Sequence, residues 1–192
     1  MIRLANARAG LLASLKRGWT DDCASQVVEL ALSLPLLVLF VVGIFDFSGA
    51  LALKQKLTNA AREGARVAAA DPASDMYATV PVSVSDAFQV VDNYLLSEKI
   101  NDCGLGPTPP APTQTQLTWT YAASGAGCPG SGIKIAINRG CSTQENGIYL
   151  VDTCVTITYA YKWQYSSVSG LVGGTFAGPS SLTTTAGAFN EN

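Results

Sequence analysis

The chain has 192 residues, enough for one domain with appendages. A net charge of −2, with only 14% charged residues, supplies no basic stripe for nucleic acid. The absence of histidine removes Ser-His-Asp triads, imidazole general bases and most zinc chemistry, so the composition points away from an enzyme.

Three regions follow one another. Residues 1–24 carry Arg3, Arg8, Lys16 and Arg17, with Asp21 and Asp22 just before an apolar run. Residues 30–53, from Leu30 to Leu53, are apolar apart from Asp46, two serines, glycines and Pro35. A helix over that stretch spans ~36 Å at ~1.5 Å per residue, enough for a bilayer core with some tilt. A core helix of a soluble domain is the plainer reading. A cleaved signal peptide is another, with Ala50-Leu51-Ala52 as its small-residue site, but the run is too long for one and Asp46 interrupts it. A retained transmembrane anchor fits best.

Carboxylates are costly in hydrocarbon, and this run has two, Glu29 at its entrance and Asp46 near its far end. Asp46 is expected at the outer interface near Lys54, two turns on. Beyond Leu53 the sequence KQKLTNAAREGARVAAADP keeps a helical period, with Leu57, Ala61 and Ala65 on one face and Lys54, Lys56, Arg62 and Arg66 elsewhere. Asp71-Pro72 ends it, because proline disfavours helix in the residue before it. The expectation is one helix of roughly 45 residues, bent at Pro35 or Gly43.

Residues 83–100 read as a second helix with Phe88, Val91, Tyr94, Leu95 and Ile100 near one face and Ser85 as N-cap. A Pro/Thr/Gly linker occupies 104–116. Strands are expected at 116–121, 133–138, 154–163 and 181–187, where Thr, Ile, Val and Tyr alternate. Strands after helices argue an α+β domain with an antiparallel sheet and a helix packed on one face.

Orientation rests on two signals that disagree. Lysines and arginines are denser after the apolar run than before it, which by the positive-inside rule favours a cytoplasmic C-terminal domain. Cys103, Cys128, Cys141 and Cys154 form an even set in a low-charge domain, which suits an oxidising compartment. The cysteines take precedence here, and residues 54–192 are expected outside the cytoplasm.

Four cysteines allow three pairings, and Cys103–Cys128 with Cys141–Cys154 is the expected set. If the odd-numbered residues Ile133–Ile137 and Val155–Tyr159 share a face in a hairpin, opposed residues sum to an even number. The sum for Cys141 and Cys154 is odd, so that bridge belongs in the loop or across a bulge. Cys23 precedes the apolar run and is expected to stay reduced.

Chemistry-bearing motifs fail on context. Gly125-Ala-Gly127-Cys-Pro-Gly130 matches GxGxxG but is followed by a strand where a helix is needed. Ser131-Gly-Ile-Lys134 matches SxxK, with its lysine in a strand and no SDN or KTG partner. A zinc site would require all four outer thiolates, and disulfides are preferred. The remaining carboxylates read as solvated surface. No catalytic residue, cofactor or metal is expected.

The run from Ala24-Ser25 through Glu29-Leu30 to Pro35, followed by Gly43-Ile-Phe-Asp46-Phe, resembles the N-terminal signature of the TadE-like family, pseudopilins of the tight-adherence (Flp-type) pilus system. LTNAAREGARVAAA at 57–70 matches its continuation, and VTITYAY at 155–161 with SLTTTAGAF at 181–189 is similar to its C-terminal region. TadF shares the anchor.

The resemblance implies a prepilin-type leader over 1–24, a long transmembrane and extended helix over 25–70, and an extracytoplasmic α+β domain over 71–192. It also implies cutting by a prepilin peptidase between Ala24 and Ser25, where the family pattern has glycine in place of Ala24. Glu29 then becomes the fifth mature residue, a carboxylate that pairs with a neighbouring subunit's α-amino group. The implied partners are other pilins and pseudopilins, the tight-adherence secretion machinery and the peptidase, at the bacterial inner membrane. A monomeric, membrane-anchored binding or adhesion domain is the alternative.

Overall fold

An unbroken run of 49 residues, Asp22–Ala70, forms helix α1 in the computed structural model, which describes residues 22–106, 108–145, 147–164 and 178–190. Residues 1–21, the greater part of the expected leader, lie outside the described residues, as do the side chains of Cys23 and Ala24. Pro35 lies within α1, where it removes one helix hydrogen bond that an apolar setting tolerates.

The described residues divide into two units. The first consists of α1 up to Phe45. No side chain from Ser25 to Phe45 is buried, and Leu32, Phe40, Ile44 and Phe45 are among the most exposed.

The second unit begins at Asp46. Here α1 buries Leu57, Ala60, Ala61, Ala65 and Ala68, a stripe at three- and four-residue spacing made mostly of alanine. Small side chains let the helix approach closely, and Gly64 lies directly against Val91 and Val155. The helix stops at Ala70, before Asp71-Pro72.

A short 3-10 turn, Ala73–Asp75, leads to α2, Val82–Ser97. Ser85 is not its N-cap. Pro81 holds that position, and the orphan amide of Ser83 donates instead to the Asp75 carboxylate at 2.8 Å. Proline sets the first turn, so the helix starts before Ser85, whose hydroxyl donates to the oxygen of Val82. The helix ends at Ser97, short of Ile100, because Lys99 turns left-handed (φ 58°). The amides of Lys99 and Ile100 then close onto the oxygens of Leu96 and Leu95, a Schellman arrangement.

Five antiparallel strands follow in sequential order: β1 Thr113–Thr115, β2 Thr118–Ala123, β3 Ile133–Glu145, β4 Ile148–Ala160 and β5 Ser181–Phe189. The alternating residues set the register. Trp119, Ile137 and Val155 align across β2, β3 and β4, as do Tyr121, Ile135 and Ile157, and all are buried. With Phe88, Val91 and Leu95 of α2 and the α1 stripe they form one core, in which Phe88 stacks on Tyr121 at 4.2 Å. The fold is α+β.

Several boundaries differ from expectation: β2 lies two residues beyond the expected 116–121, and β5 runs two residues past 187. β1 lies inside the stretch read as linker, β4 starts six residues before Cys154 and stops at Ala160, and β3 runs on past Asn138 to Glu145. Between Asn138 and Cys141 the β3–β4 register shifts by one: Asn138 faces Cys154, whereas Cys141 faces Asp152. The Cys141–Cys154 disulfide crosses that bulge, with 6.0 Å between Cα atoms. The other disulfide joins Cys103 to Cys128, 5.3 Å apart at Cα.

Candidate functional site

The exposed stretch of α1 carries the first candidate site. Ser25 and Glu29 stand one helical turn apart, both exposed, and Ala24 lies in the same opening turns. Leu30 is exposed behind them, whereas Leu53 is half-buried and packs on the core of the second unit. Val27, Val28, Leu32 and Leu36, near Glu29 on the helix, are all more than half exposed, and Ser25, Gln26 and Ser33 lie within one turn of it. A contiguous apolar surface of this kind marks contact with lipid or with protein.

Asp46 occupies a different setting from the one expected beside Lys54. It is buried, and its carboxylate accepts the main-chain N–H of Gln164 at 3.1 Å. The Tyr161 hydroxyl donates to the main-chain oxygen of Asp46 at 3.4 Å, over the glycine at position 49. Trp163 packs edge-on against Tyr161, with centroids 5.1 Å apart, and its indole N–H donates to the oxygen of Pro179 at 3.0 Å. Burial, and after it the Asp46 charge, pushes the Tyr161 phenol above its usual value. Tyr161, Trp163 and Gln164 were not anticipated as partners of the helix. The alternation of Tyr159, Tyr161 and Trp163 past the end of β4 was the available signal.

Not every carboxylate is solvated surface. Asp92 and Asp152 are buried, as is Asp46. Asp92 sits in a cleft of about 320 Å³ between α2 and the residues Gly106 and Pro109, among Phe88, Gln89, Asn93 and Tyr121. One Asp92 oxygen has no hydrogen-bond partner among the described residues. Its carboxyl is pushed up to about 6, first by burial and then by the Asp102 charge.

The motif loops have structural uses. Gly125 donates its amide to the oxygen of Cys103 at 2.7 Å, and a Cβ there would stand 2.5 Å from that oxygen, so the GxGxxG stretch docks on the disulfide. Lys134 is exposed on β3. Among the described residues, no three Cys, Asp or Glu side chains gather as metal ligands.

One family model matches, that described as TadE-like protein, over residues 24–66. No curated protein and no solved structure gives a match. The matched segment runs from Ala24 through Ser25, Glu29 and Asp46 to the buried alanine stripe, and over these residues the chain is similar to the TadE-like protein family.

Proposed function

We propose that the chain is a minor pseudopilin, a structural component in the assembly of a tight-adherence (Flp-type) pilus, with no chemistry of its own. One observation carries the reading: the TadE-like segment opens with an apolar helix surface that no described residue buries, interrupted by Glu29. The first half of α1 anchors the chain in the bacterial inner membrane. The domain with its two disulfides then faces an oxidising compartment outside the cytoplasm.

Cleavage by a prepilin peptidase between Ala24 and Ser25 frees an α-amino group at the polar–apolar junction. An ionised carboxylate in hydrocarbon costs roughly 2.5–3.5 kcal/mol at the helix centre and less near the end, and a neighbouring subunit's amine offsets that cost. The pairing fixes the axial position of one subunit against the next. Other pilins, the secretion machinery and the peptidase are the partners this requires.

Intact mass spectrometry of membrane-extracted protein tests the first step, with a mature species starting at Ser25 expected. Ala24→Leu should retain the full-length form. Glu29→Gln should insert normally and fail to join the pilus. A dominant species starting at Leu53 would instead mean a signal peptide and an exported soluble domain.

The cleft at Asp92 favours a second reading, a monomeric anchored domain that binds a ligand or adhesion target. Co-purification separates the two readings, because that domain would come away from the membrane without pilin or secretion machinery.

A further inference from the structure

We infer that Tyr161, Lys162 and Trp163 form a lipid-facing collar that sits in the headgroup layer of the outer leaflet and sets the outer end of the membrane span at Asp46. The inference rests on the anchored reading of α1 and adds to it the lipid contact of the folded domain. It moves the outer boundary of the span inward from Leu53.

Residues 161–164 are neither helix nor strand, and they reach α1 at Asp46 through the Gln164 amide and the Tyr161 hydroxyl. Unpaired, non-helical backbone is excluded from hydrocarbon, because each unsatisfied polar group costs several kcal/mol there. A span continuing to Leu53 would draw Asp46, and the segment bonded to it, seven residues or ~10 Å below the surface. Placing the boundary at Asp46 removes that cost.

The side chains suit the boundary. Tyr161 and Trp163 are half-buried, with their polar atoms bonded to Asp46 and Pro179, the Trp163 ring lying on Gly178 and edge-on to Tyr161; the part of each ring that stays exposed is the part offered to lipid. Tyrosine and tryptophan concentrate at this depth because one end is apolar and the other polar. Lys162, exposed between them, brings a cation to anionic headgroups. Phe47, which follows Asp46, is also more than half exposed.

Asp46 follows Glu29 by 17 residues, about 26 Å along the helix axis. That is shorter than a hydrocarbon core of ~30 Å, so the Glu29 carboxylate lies a few ångströms inside the inner edge, below headgroup level. There it requires a partner.

The test uses the full chain labelled with fluorotryptophan in nanodiscs of phosphatidylethanolamine with a quarter phosphatidylglycerol. Trp163→Phe assigns the resonance. Lipid carrying a nitroxide near the headgroup should abolish the Trp163 signal, and a nitroxide at the bilayer centre should leave it visible. Trp119, fully buried in the core, should respond to neither. A Trp163 signal lost to a soluble gadolinium chelate but not to the headgroup nitroxide overturns the collar. A signal insensitive to all three probes also overturns it, since protein and not lipid would then cover the ring. Phe40→Trp separates this failure from that of the anchor. If its added resonance is lost to the bilayer-centre nitroxide, only the collar has failed; if it persists, the anchored reading falls as well.

Discussion

Arg139, at the bulge of β3, donates from its guanidinium to the main-chain oxygen of Ala68 in the last turn of α1. The same group donates to the oxygen of Asp71 at 2.9 Å and to the Thr153 hydroxyl at 3.0 Å, and that hydroxyl donates in turn to Asn190 at 2.6 Å. The last carbonyls of a helix have no partner within it, and a cation there complements the negative end of its dipole. Burial lowers the proton affinity of Arg139, while the charges of Asp75 and Asp71 oppose that shift. One side chain thus joins the end of the long helix to the sheet.

Arg139→Met should therefore cost about 3 kcal/mol, the scale of losing charge-assisted bonds to otherwise unpaired buried oxygens. Arg139→Lys should recover only part of the loss, since a single ammonium cannot span three acceptors as the planar fork does. Urea denaturation of the three proteins measures both effects. A Met variant as stable as the wild type would show that the node contributes nothing.

Gly64→Ala should reverse the usual sign. In an exposed helix interior, alanine in place of glycine stabilises by about 1 kcal/mol. At Gly64 the new Cβ would stand 2.5 Å from Val91 Cγ2 and 3.4 Å from the oxygen of Ala87. Valine is stiff and fully buried, so the helices must move apart, a change that costs about 1–3 kcal/mol by overpacking. A rise in melting temperature on this substitution would mean that α1 and α2 are not packed as described.

What the sequence disclosed depended on how far apart the cause and its effect lie. The end of α1 was legible because Asp71-Pro72 is local, and the core face because Ile133, Ile135 and Ile137 alternate without interruption. The same parity located the Cys141–Cys154 bridge off the regular ladder, and the shift between Asn138 and Cys141 is where it lies. The length of the β3–β4 hairpin was missed because Gly140 and Cys141 break the alternation, although Asn146-Gly147 is a strong two-residue hairpin signal. Asp46, Asp92 and Arg139 could not be read as buried. Asp46 and Arg139 have partners 118 and 71 residues away, and no local pattern encodes such pairs. Glu29 could be read only through the family resemblance, since one carboxylate beside an apolar run has many meanings.

The outer part of the β3–β4 hairpin should depend on its disulfide. Pairing with β2 stops at Asn138 and pairing with β5 stops at Asp152, so among the described strands Cys141–Glu145 and Ile148–Val151 pair only with each other. A two-stranded hairpin alone is marginal in water. Replacing both Cys141 and Cys154 with serine removes closure of a short loop, worth about 3 kcal/mol in the chain-entropy model. Amide exchange should accelerate in this arm first, while the amides of Ile133–Asn138 remain protected. Non-reducing peptide mapping should recover Cys103 linked to Cys128 and Cys141 linked to Cys154. A peptide joining Cys103 to either Cys141 or Cys154 would overturn the pairing.

Asp92 should make the domain more stable in mild acid than at neutral pH, by its own contribution. Its folded-state value, raised to about 6, lies above the unfolded value of 3.8. Between those values the folded chain holds a proton that the unfolded chain has released, so stability falls as pH rises through this window. Below about pH 4 both states are protonated and the penalty vanishes; above about pH 6 both are ionised and it is complete. The separation corresponds to a penalty on the order of 3 kcal/mol at about 1.4 kcal/mol per unit. Asp92→Asn removes the charge while keeping the shape, so it should stabilise the domain at pH 8 and match the wild type near pH 4. Melting curves of both proteins across that range decide the point. An Asn variant that gains nothing at pH 8 would mean that the Asp92 carboxylate is satisfied in the folded state.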